Sequence, residues 1–513
     1  MNKLPIIILF CVTTLLWSYR AVRALQMGGY KLSLAEIRPR FIKILIEHLV
    51  LSALAAASIV TAVYTGSLAL SYGVLFIPIV YSAIDAAKLR THLKFTKRAV
   101  RLCAAVAVVL ACLQFVLITV AKTPVAMAIC GFCVLILSRA VSAGVCAAIS
   151  PFESLNNKRY IKRAKEKISS LNAFKIGITG SFGKTSCKNI LAEMLSAKYK
   201  VIKTEKNYNT PMGLALTAQR IEGDEEVFIA EMGAKREGDI AELANIVKPK
   251  YAIITGVAPQ HLATFGSEEK IYRAKRELVK SLPPDGFAVF NGDNKHSLKM
   301  FESCPVRSKA VFTAANETGI YAGDITLNNN GSSFTVKGIG EDLRLTTRLL
   351  GRHNIINILL CLTLALELGI DREAIAEVVK GLKPTPHRLE LLDTSNGVTV
   401  IDDSYNGNIE GVKFALEVLS LYAGKRKVVF TQGIVELGKR QAEMNGLVGA
   451  MTAEIADVVI LTGENAKYIK EGLFNGGFPA DRIYIFKTFR EASESLKTIL
   501  MPGDVLLIQN DIP

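Results

Sequence analysis

The sequence has no internal repeat and no low-complexity tract, so it reads as a succession of distinct domains rather than an array. It also lacks a disulfide framework. Six of its nine cysteines (Cys11, Cys103, Cys112, Cys130, Cys133 and Cys146) sit in or beside apolar runs, and Cys187, Cys304 and Cys361 are scattered. Cys130-Gly-Phe-Cys133 has redox or metal spacing, but no second pair accompanies it, and it is read as packing. Acidic residues are scarce in one stretch only. Residues 1–170 hold 5 Asp and Glu against 21 Lys and Arg, which accounts for the whole net charge of +16 and leaves the remainder neutral. A basic chain whose excess is confined in this way does not point to a nucleic-acid partner.

What residues 1–150 do have is long hydrophobic runs, and the mean hydropathy of the chain, +0.30, is high for an enzyme of 513 residues. Leu4 to Tyr19, Ile44 to Tyr64, Leu68 to Ile84, Leu102 to Ala121 and Val125 to about Ile149 each approach the roughly 20 residues that cross a hydrocarbon core. Basic residues cluster in the first and third connecting segments, from Arg20 to Lys43 and from Lys88 to Arg101. The positive-inside bias then predicts about five transmembrane helices over 1–150, a multi-pass protein of the cytoplasmic membrane, and everything after Pro151 in the cytoplasm. A basic linker, 151–173, follows, and its Lys158 to Lys167 flank is expected against lipid headgroups, with membrane lipid as a partner.

From Lys175 onward short β-branched runs alternate with helical ones, as in parallel α/β units. Strands are expected at 175–179, 227–231, 251–255 and 288–291, a hairpin around Asn328-Asn-Asn-Gly331, and a helix over 351–369. After a Pro-containing link near 381–388, a second set is expected at 398–401, 427–431, 458–462, 483–486 and 504–508. The reading is α/β: a helical N-terminal region, a P-loop-type parallel domain over 174–383 and a Rossmann-like domain over 384–513.

The most informative stretch is Gly177-Ile-Thr-Gly-Ser-Phe-Gly183-Lys184-Thr185-Ser186, a glycine-rich turn between an apolar strand and a helix. Small residues let backbone N–H groups point at an anion and the helix N-terminus adds its positive end. Gly180, Ser181, Gly183, Lys184, Thr185 and Ser186 are therefore candidates to hold a nucleotide's phosphates, with Lys184 on the outer phosphates and Thr185 on a magnesium ion. The spacing is shorter than a full P-loop, since Ile178 stands where the first glycine would be. Further on, Glu231 ends an apolar strand, His261 follows the next one, and Lys275 lies in Ala274-Lys-Arg-Glu277. Open α/β sheets place their sites at such strand ends.

Taken in order with Asn207-Tyr-Asn-Thr-Pro-Met-Gly213, Asn291-Gly-Asp-Asn294, Gly351-Arg-His-Asn354, His387-Arg-Leu-Glu390, Asp402-Asp-Ser-Tyr-Asn-Gly-Asn408 and Glu436-Leu-Gly438, this set resembles the Mur ligase family, and most of all its D-alanyl-D-alanine-adding branch. The resemblance runs from about Phe174 to Ile508. It implies an ATP-dependent acid–amino acid ligase of peptidoglycan precursor synthesis that forms an amide through an acyl phosphate, with ATP and Mg2+ as cofactors and a small-molecule acid and an amino acid or dipeptide as substrates. By resemblance Thr185, Glu231 and His261 hold magnesium, and Lys275 is a carbamylated lysine assisting the second ion. Asn291, Asn294 and Asn354 line the adenine side, and Arg388 with Asp402 or Asp403 closes on ATP. Two departures stand out. No segment long enough for a UDP-binding domain separates the apolar runs from the phosphate loop, and Gln509-Asn-Asp-Ile-Pro513 replaces a terminal Lys-Gly-Ser. The acid is accordingly expected at the membrane. A poly-γ-glutamate or capsule-type amide ligase is the alternative within this chemistry, and a P-loop ATPase of a membrane transporter is the alternative outside it.

Overall fold

The computed structural model describes residues 93–316, 319–394, 396–405 and 407–509, with a few positions between 14 and 50. The apolar runs 44–64 and 68–84, and most of 4–19, lie outside the described residues, as do residues 510–513 of the terminal segment. The chain divides into two compact units, 1–158 and 159–513.

In the first unit, helix α1 (Lys97–Val120) is capped by Thr96, whose hydroxyl accepts from the Ala99 N–H at 3.2 Å. Helix α2 (Pro124–Ser170) begins after a short turn. Leu102, Val106 and Leu110 of α1 share a small core with Val134 and Cys146 of α2. Arg101, expected in a basic loop, instead lies in α1 and grips Glu153 of α2 through two hydrogen bonds of 2.6 and 2.7 Å. The multi-pass expectation is overturned. Among the described residues one helix, α1, is long and apolar enough to cross a membrane, and a single such helix is weak evidence, because the core helix of a soluble protein passes the same test. Run length near 20 residues records apolarity, and it does not distinguish lipid from protein as the partner of the apolar face.

Helix α2 continues through Pro151 to Ser170, so the segment expected as a linker is helical. Its Lys, Arg, Glu and Ala residues are good helix formers, and Ala164 and Ile168, one turn apart, are buried in the core of the second unit.

The second unit is built on two sheets. The larger runs in the order β2 (Val201–Lys203), β3 (Val227–Glu231), β1 (Phe174–Thr179), β4 (Tyr251–Ile254), β5 (Phe287–Asn291), β6 (Arg307–Phe312), β7 (Ile320–Asn328), β8 (Gly331–Lys337) and β9 (Leu343–Thr347). It is parallel from β2 to β7 and ends in an antiparallel meander, whose β7–β8 hairpin pairs Asn328 with Gly331 as the turn signal predicts. The central strands are apolar without alternation because both faces are covered. Phe228, Ala230, Ala252 and Ile254 pack on the side of the helices Asp239–Val247 and Glu268–Lys280. Their strand neighbours Val227, Ile229 and Ile253 pack on the other side, against Lys184–Leu195 and Arg352–Glu367. The period-two alternation of strand side chains does the sorting.

The second sheet runs β10 (Glu390–Asp393), β11 (Thr399–Asp403), β15 (Val505–Gln509), β12 (Lys427–Thr431), β13 (Val458–Thr462) and β14 (Ile483–Phe486), parallel except at the β10 edge. Every strand expected from the sequence is present; β2, β6, β9 and β10 were not anticipated. β2, β9 and β10 are sheet edges, and β6 opens on the polar Arg307-Ser-Lys, so no long apolar run marks any of the four. In the larger sheet the chain runs from β1 out to β2 and β3 on one side and then crosses over β1 to β4 on the other. The carboxyl ends of β3, β1, β4 and β5 therefore open at a switch point, where such sheets bind ligands.

Candidate active site

The turn after β1 is a cradle that side chains would fill. Gly180 has φ +154°, and a Cβ there would lie 1.9 Å from the Thr255 hydroxyl oxygen. Gly183 has φ +72° and caps the helix Lys184–Leu195 with no side chain of its own. Both are left-handed conformations that glycine adopts without strain. The loop is tied to the β4 end: the Ser181 N–H donates to the Gly256 carbonyl at 2.8 Å and its hydroxyl to the Ala258 carbonyl at 3.0 Å. Lys184 turns back over the turn to the Gly180 carbonyl at 2.8 Å. Burial lowers its pKa, Glu231 opposes that shift, and nearby Arg388 adds to it.

Glu231, at the end of β3, is the centre of this region and only 1 % exposed. Its Oε2 accepts from the Thr185 hydroxyl at 3.0 Å and from Lys188 Nζ at 3.0 Å, and its Oε1 from the Asn209 amide at 3.2 Å. Burial pushes its pKa up, but Lys188 and Lys184 outweigh it with the hydrogen bonds, and the carboxyl ends below its ordinary value. Lys188 was not singled out from the sequence; its position four residues after Lys184, on the same helix face, was the available signal.

Lys275 is buried on the helix Glu268–Lys280, and desolvation, then the Lys184 charge, lowers its pKa to about 7. His261 sits in the left-handed region at the start of the turn Leu262–Phe265 and meets the Glu436 carboxylate through Nδ1, so that a residue of the second sheet's domain reaches the first. Burial lowers the His261 pKa and Glu436 works against that shift. Arg440 bridges to Glu268 across the same boundary.

Arg388 lies between His387 (φ +61°) and Leu389 (φ +49°), both in the left-handed region. Its guanidinium stands over the Tyr405 ring, 4.7 Å from the centroid, and near enough to Lys184, His353 and Asp403 to shift all three. His353 is pushed down to about 4 by burial and then by Arg388. Burial raises Asp403 to about 7, with Arg388 opposing. Asp402 is occupied by His387 Nδ1 at 2.7 Å and the Ser404 N–H at 3.0 Å.

The structure thus brings Lys184, Thr185, Glu231, Lys275 and Arg388 close enough to hydrogen-bond or to shift one another's charge, with His261 within reach of Lys184. The three asparagines are engaged elsewhere. Asn291 donates to the Thr255 carbonyl at 2.8 Å, Asn294 exchanges two 3.0 Å bonds with the Val257 backbone, and Asn354 donates to the Leu350 carbonyl at 2.9 Å. Ser186 is half-buried on the first turn of the helix.

Residues and cofactors fit. The glycine cradle, the helix N-terminus and Lys184 suit the phosphates of a nucleotide, and the hydroxyl and carboxylate oxygens of Thr185 and Glu231 are hard ligands of the kind magnesium takes. A second ion is served differently. Among the described residues the tight clusters of three His, Cys, Asp or Glu ligand atoms are His387–Glu390–Asp402 and Glu222–Asp224–Glu225, and neither includes Glu231 or His261.

A phosphate cradle at the switch point of a parallel sheet, followed by a Rossmann-like domain that reaches back to it, defines a two-domain ATP-dependent ligase. Residues 178–365 match the Mur ligase middle domain and residues 387–509 the Mur ligase glutamate ligase domain. The chain belongs to the Mur ligase family. A UDP-N-acetylmuramoyl-tripeptide--D-alanyl-D-alanine ligase of Bacillus subtilis is 30% identical over 348 residues, covering 67% of this chain and 75% of the relative. The ligase of that name from Escherichia coli is 29% identical, over 64% of this chain and 73% of the relative. Among solved structures, the MurF ligase of Thermotoga maritima in complex with ADP is 26% identical with a TM-score of 0.61, over 69% of this chain and 80% of that one. The protein is an ATP-dependent, amide-forming ligase whose cofactors are ATP and Mg2+. These relatives lend no support to a multi-pass membrane localisation, and that expectation is withdrawn.

Because the Gly180 Cβ would strike the loop's own anchor, Gly180→Ala is expected to weaken ADP binding by about 100-fold or more while the chain stays folded. Isothermal titration with ADP and magnesium checks this, alongside circular dichroism of the variant.

Proposed function

We propose that the protein joins the carboxylate of a muramoyl-peptide-like acid to the amine of a dipeptide in peptidoglycan precursor synthesis, through an acyl phosphate. The observation that carries this is the buried Glu231 carboxylate, held between Thr185 and Lys188 at the mouth of the phosphate cradle, with the low-pKa Lys275 in the same opening. ATP bound there supplies the phosphoryl group, and magnesium neutralises charge on the oxygens in transfer.

The chain's own residues then have distinct tasks. Gly180, Ser181, Gly183 and Ser186 present the loop and helix N-terminus to the phosphates, and Lys184 exchanges its Gly180 carbonyl for a phosphate oxygen. Thr185 and Glu231 hold the first ion. Lys275, half neutral near pH 7, is able to take up carbon dioxide as a carbamate, turning a cation into an anion suited to a second ion together with His261. His261 would leave Glu436 to do so. Asn291, Asn294 and Asn354 support the adenine side, and Arg388, steered by Tyr405 and balanced by Asp402 and Asp403, brings a mobile positive charge to the reacting phosphate. The Ala263 N–H to Glu436 carbonyl bond and the Arg440–Glu268 pair, both independent of the His261 ring, favour a closed arrangement that keeps water from the acyl phosphate. The amine identity follows the names of the relatives. A poly-γ-glutamate-type ligase and a transporter ATPase are both less well supported, since neither accounts for relatives of this kind.

ADP release should require both a UDP-N-acetylmuramoyl tripeptide and D-alanyl-D-alanine, and Lys184→Ala should lower it by about 1000-fold, because the lysine compensates charge on the transferred phosphate. Release with wild-type efficiency in the variant, or without an acid, would remove the assignment.

Carbamylation carries its own pH signature. The folded pKa of Lys275 is lowered to about 7, so the reactive neutral amine is lost as pH falls through that value and regained above it. Activity in bicarbonate-depleted buffer should therefore recover on adding bicarbonate at pH 8 by about tenfold, and far less at pH 6. Lys275→Ala should be inactive and insensitive to bicarbonate; an active, bicarbonate-insensitive wild type would refute the carbamate.

A further inference from the structure

Lys188 is 1 % exposed, and a buried ammonium is stable only with full compensation. It finds two partners on different segments: Glu231 Oε2 at 3.0 Å and the carbonyl of Lys206 at 2.5 Å. Lys206 is held in the left-handed region at φ +42°, where a lysine is strained unless its surroundings fix it. The segment it opens returns to the same carboxylate, since the Asn209 amide donates to Glu231 Oε1 at 3.2 Å. The Asn209 carbonyl in turn accepts from the Gly233 N–H at 3.1 Å, just beyond β3. From the middle of the segment the Asn207 amide reaches the Tyr405 hydroxyl at 2.6 Å, and Tyr405 carries the Arg388 guanidinium on its ring. An unbroken run of bonded groups thus leads from Glu231 through Lys188 and the strained turn to the arginine of the second domain.

We propose that Lys188 is a positioning residue that couples the Glu231 carboxylate to the segment Lys206–Asn209, and through Asn207 and Tyr405 to Arg388. Glu231 Oε2 is shared between Thr185 and Lys188. Whatever else comes to bind that oxygen reduces the share left to the ammonium, which then leans more strongly on the Lys206 carbonyl. Loading of the carboxylate is in this way felt by a backbone turn on one side of the opening and by the closing arginine on the other. The proposal rests on the reading of Glu231 as the magnesium ligand. A purely structural ion pair would stabilise the fold and do nothing more.

The test uses the full chain with magnesium and ADP as probes. Amide hydrogen exchange over residues 204–210 of the wild type is expected to slow by about tenfold on adding both, a change that reports local opening. Lys188→Met should still bind ADP, lose that response, and show kcat reduced by about tenfold with the KM for ATP changed by less than about threefold. Lys188→Arg, which keeps a cation but alters its reach, should recover part of the response; if the methionine variant does not fold, a reduced response in the arginine variant supports the coupling. A wild-type exchange response in either folded variant overturns the proposal. Glu231→Gln separates it from the reading beneath: an unchanged magnesium requirement there sinks the metal assignment, whereas a normal exchange response in Lys188→Met beside a defective Glu231→Gln sinks the coupling alone.

Discussion

A buried carboxylate among cations is the constraint on which the site depends. Glu231 is almost wholly removed from water, and without Lys188 and Lys184 nearby it would take up a proton and lose its use as a ligand. Lys184 and Lys275 lie close to one another, and the Lys184 charge loosens the hold of buried Lys275 on its proton, while burial and Arg388 do the same for Lys184. The result is a small volume in which positive charge is crowded, anionic phosphates are welcome, and one lysine is close to neutral at physiological pH. Electrostatic preorganisation of this kind is the usual source of the largest catalytic term in phosphoryl and acyl transfer.

The scaffold explains why these groups meet. β1 and β3 are neighbours, and their register places Ile178 beside Glu231, so the carboxylate emerges level with the end of β1, two residues before Gly180 opens the phosphate loop. Helix Lys184–Leu195 then carries Lys184, Thr185 and Lys188 on the face turned to that carboxylate. The second domain contributes by reach rather than by covalent framework: Glu436 to His261, Arg440 to Glu268 and Tyr405 to Asn207 all cross from one sheet's domain to the other. In this structure the two domains therefore meet beside the phosphate loop.

Much of this was legible in the sequence, because glycines and charged residues at strand ends are local signals. The loop Gly180 to Ser186, Glu231 and Lys275 could be named from their place after apolar strands, and the sheet from runs such as Phe228-Ile-Ala. The roles of Lys188 and Tyr405 were not legible, although the first stands four residues after Lys184 and the second inside a visible motif, since the partners that define them lie 43 and 198 residues away in sequence. The asparagines show the complement: their motif was visible, and the fold adds that their amides bond to backbone. The membrane reading failed because apolar run length was asked to report what surrounds a helix. It measures only what the helix is made of.

The central claim is that the opening at Glu231 transfers the outer phosphoryl group of ATP to a substrate carboxylate before the amine attacks. Supplying the acid with a heavy-oxygen-labelled carboxylate and analysing the released phosphate by mass spectrometry tests it most directly. One labelled oxygen is predicted to appear in each phosphate formed, carried there by collapse of the acyl phosphate. Phosphate free of label in a reaction that still yields the amide would contradict the account.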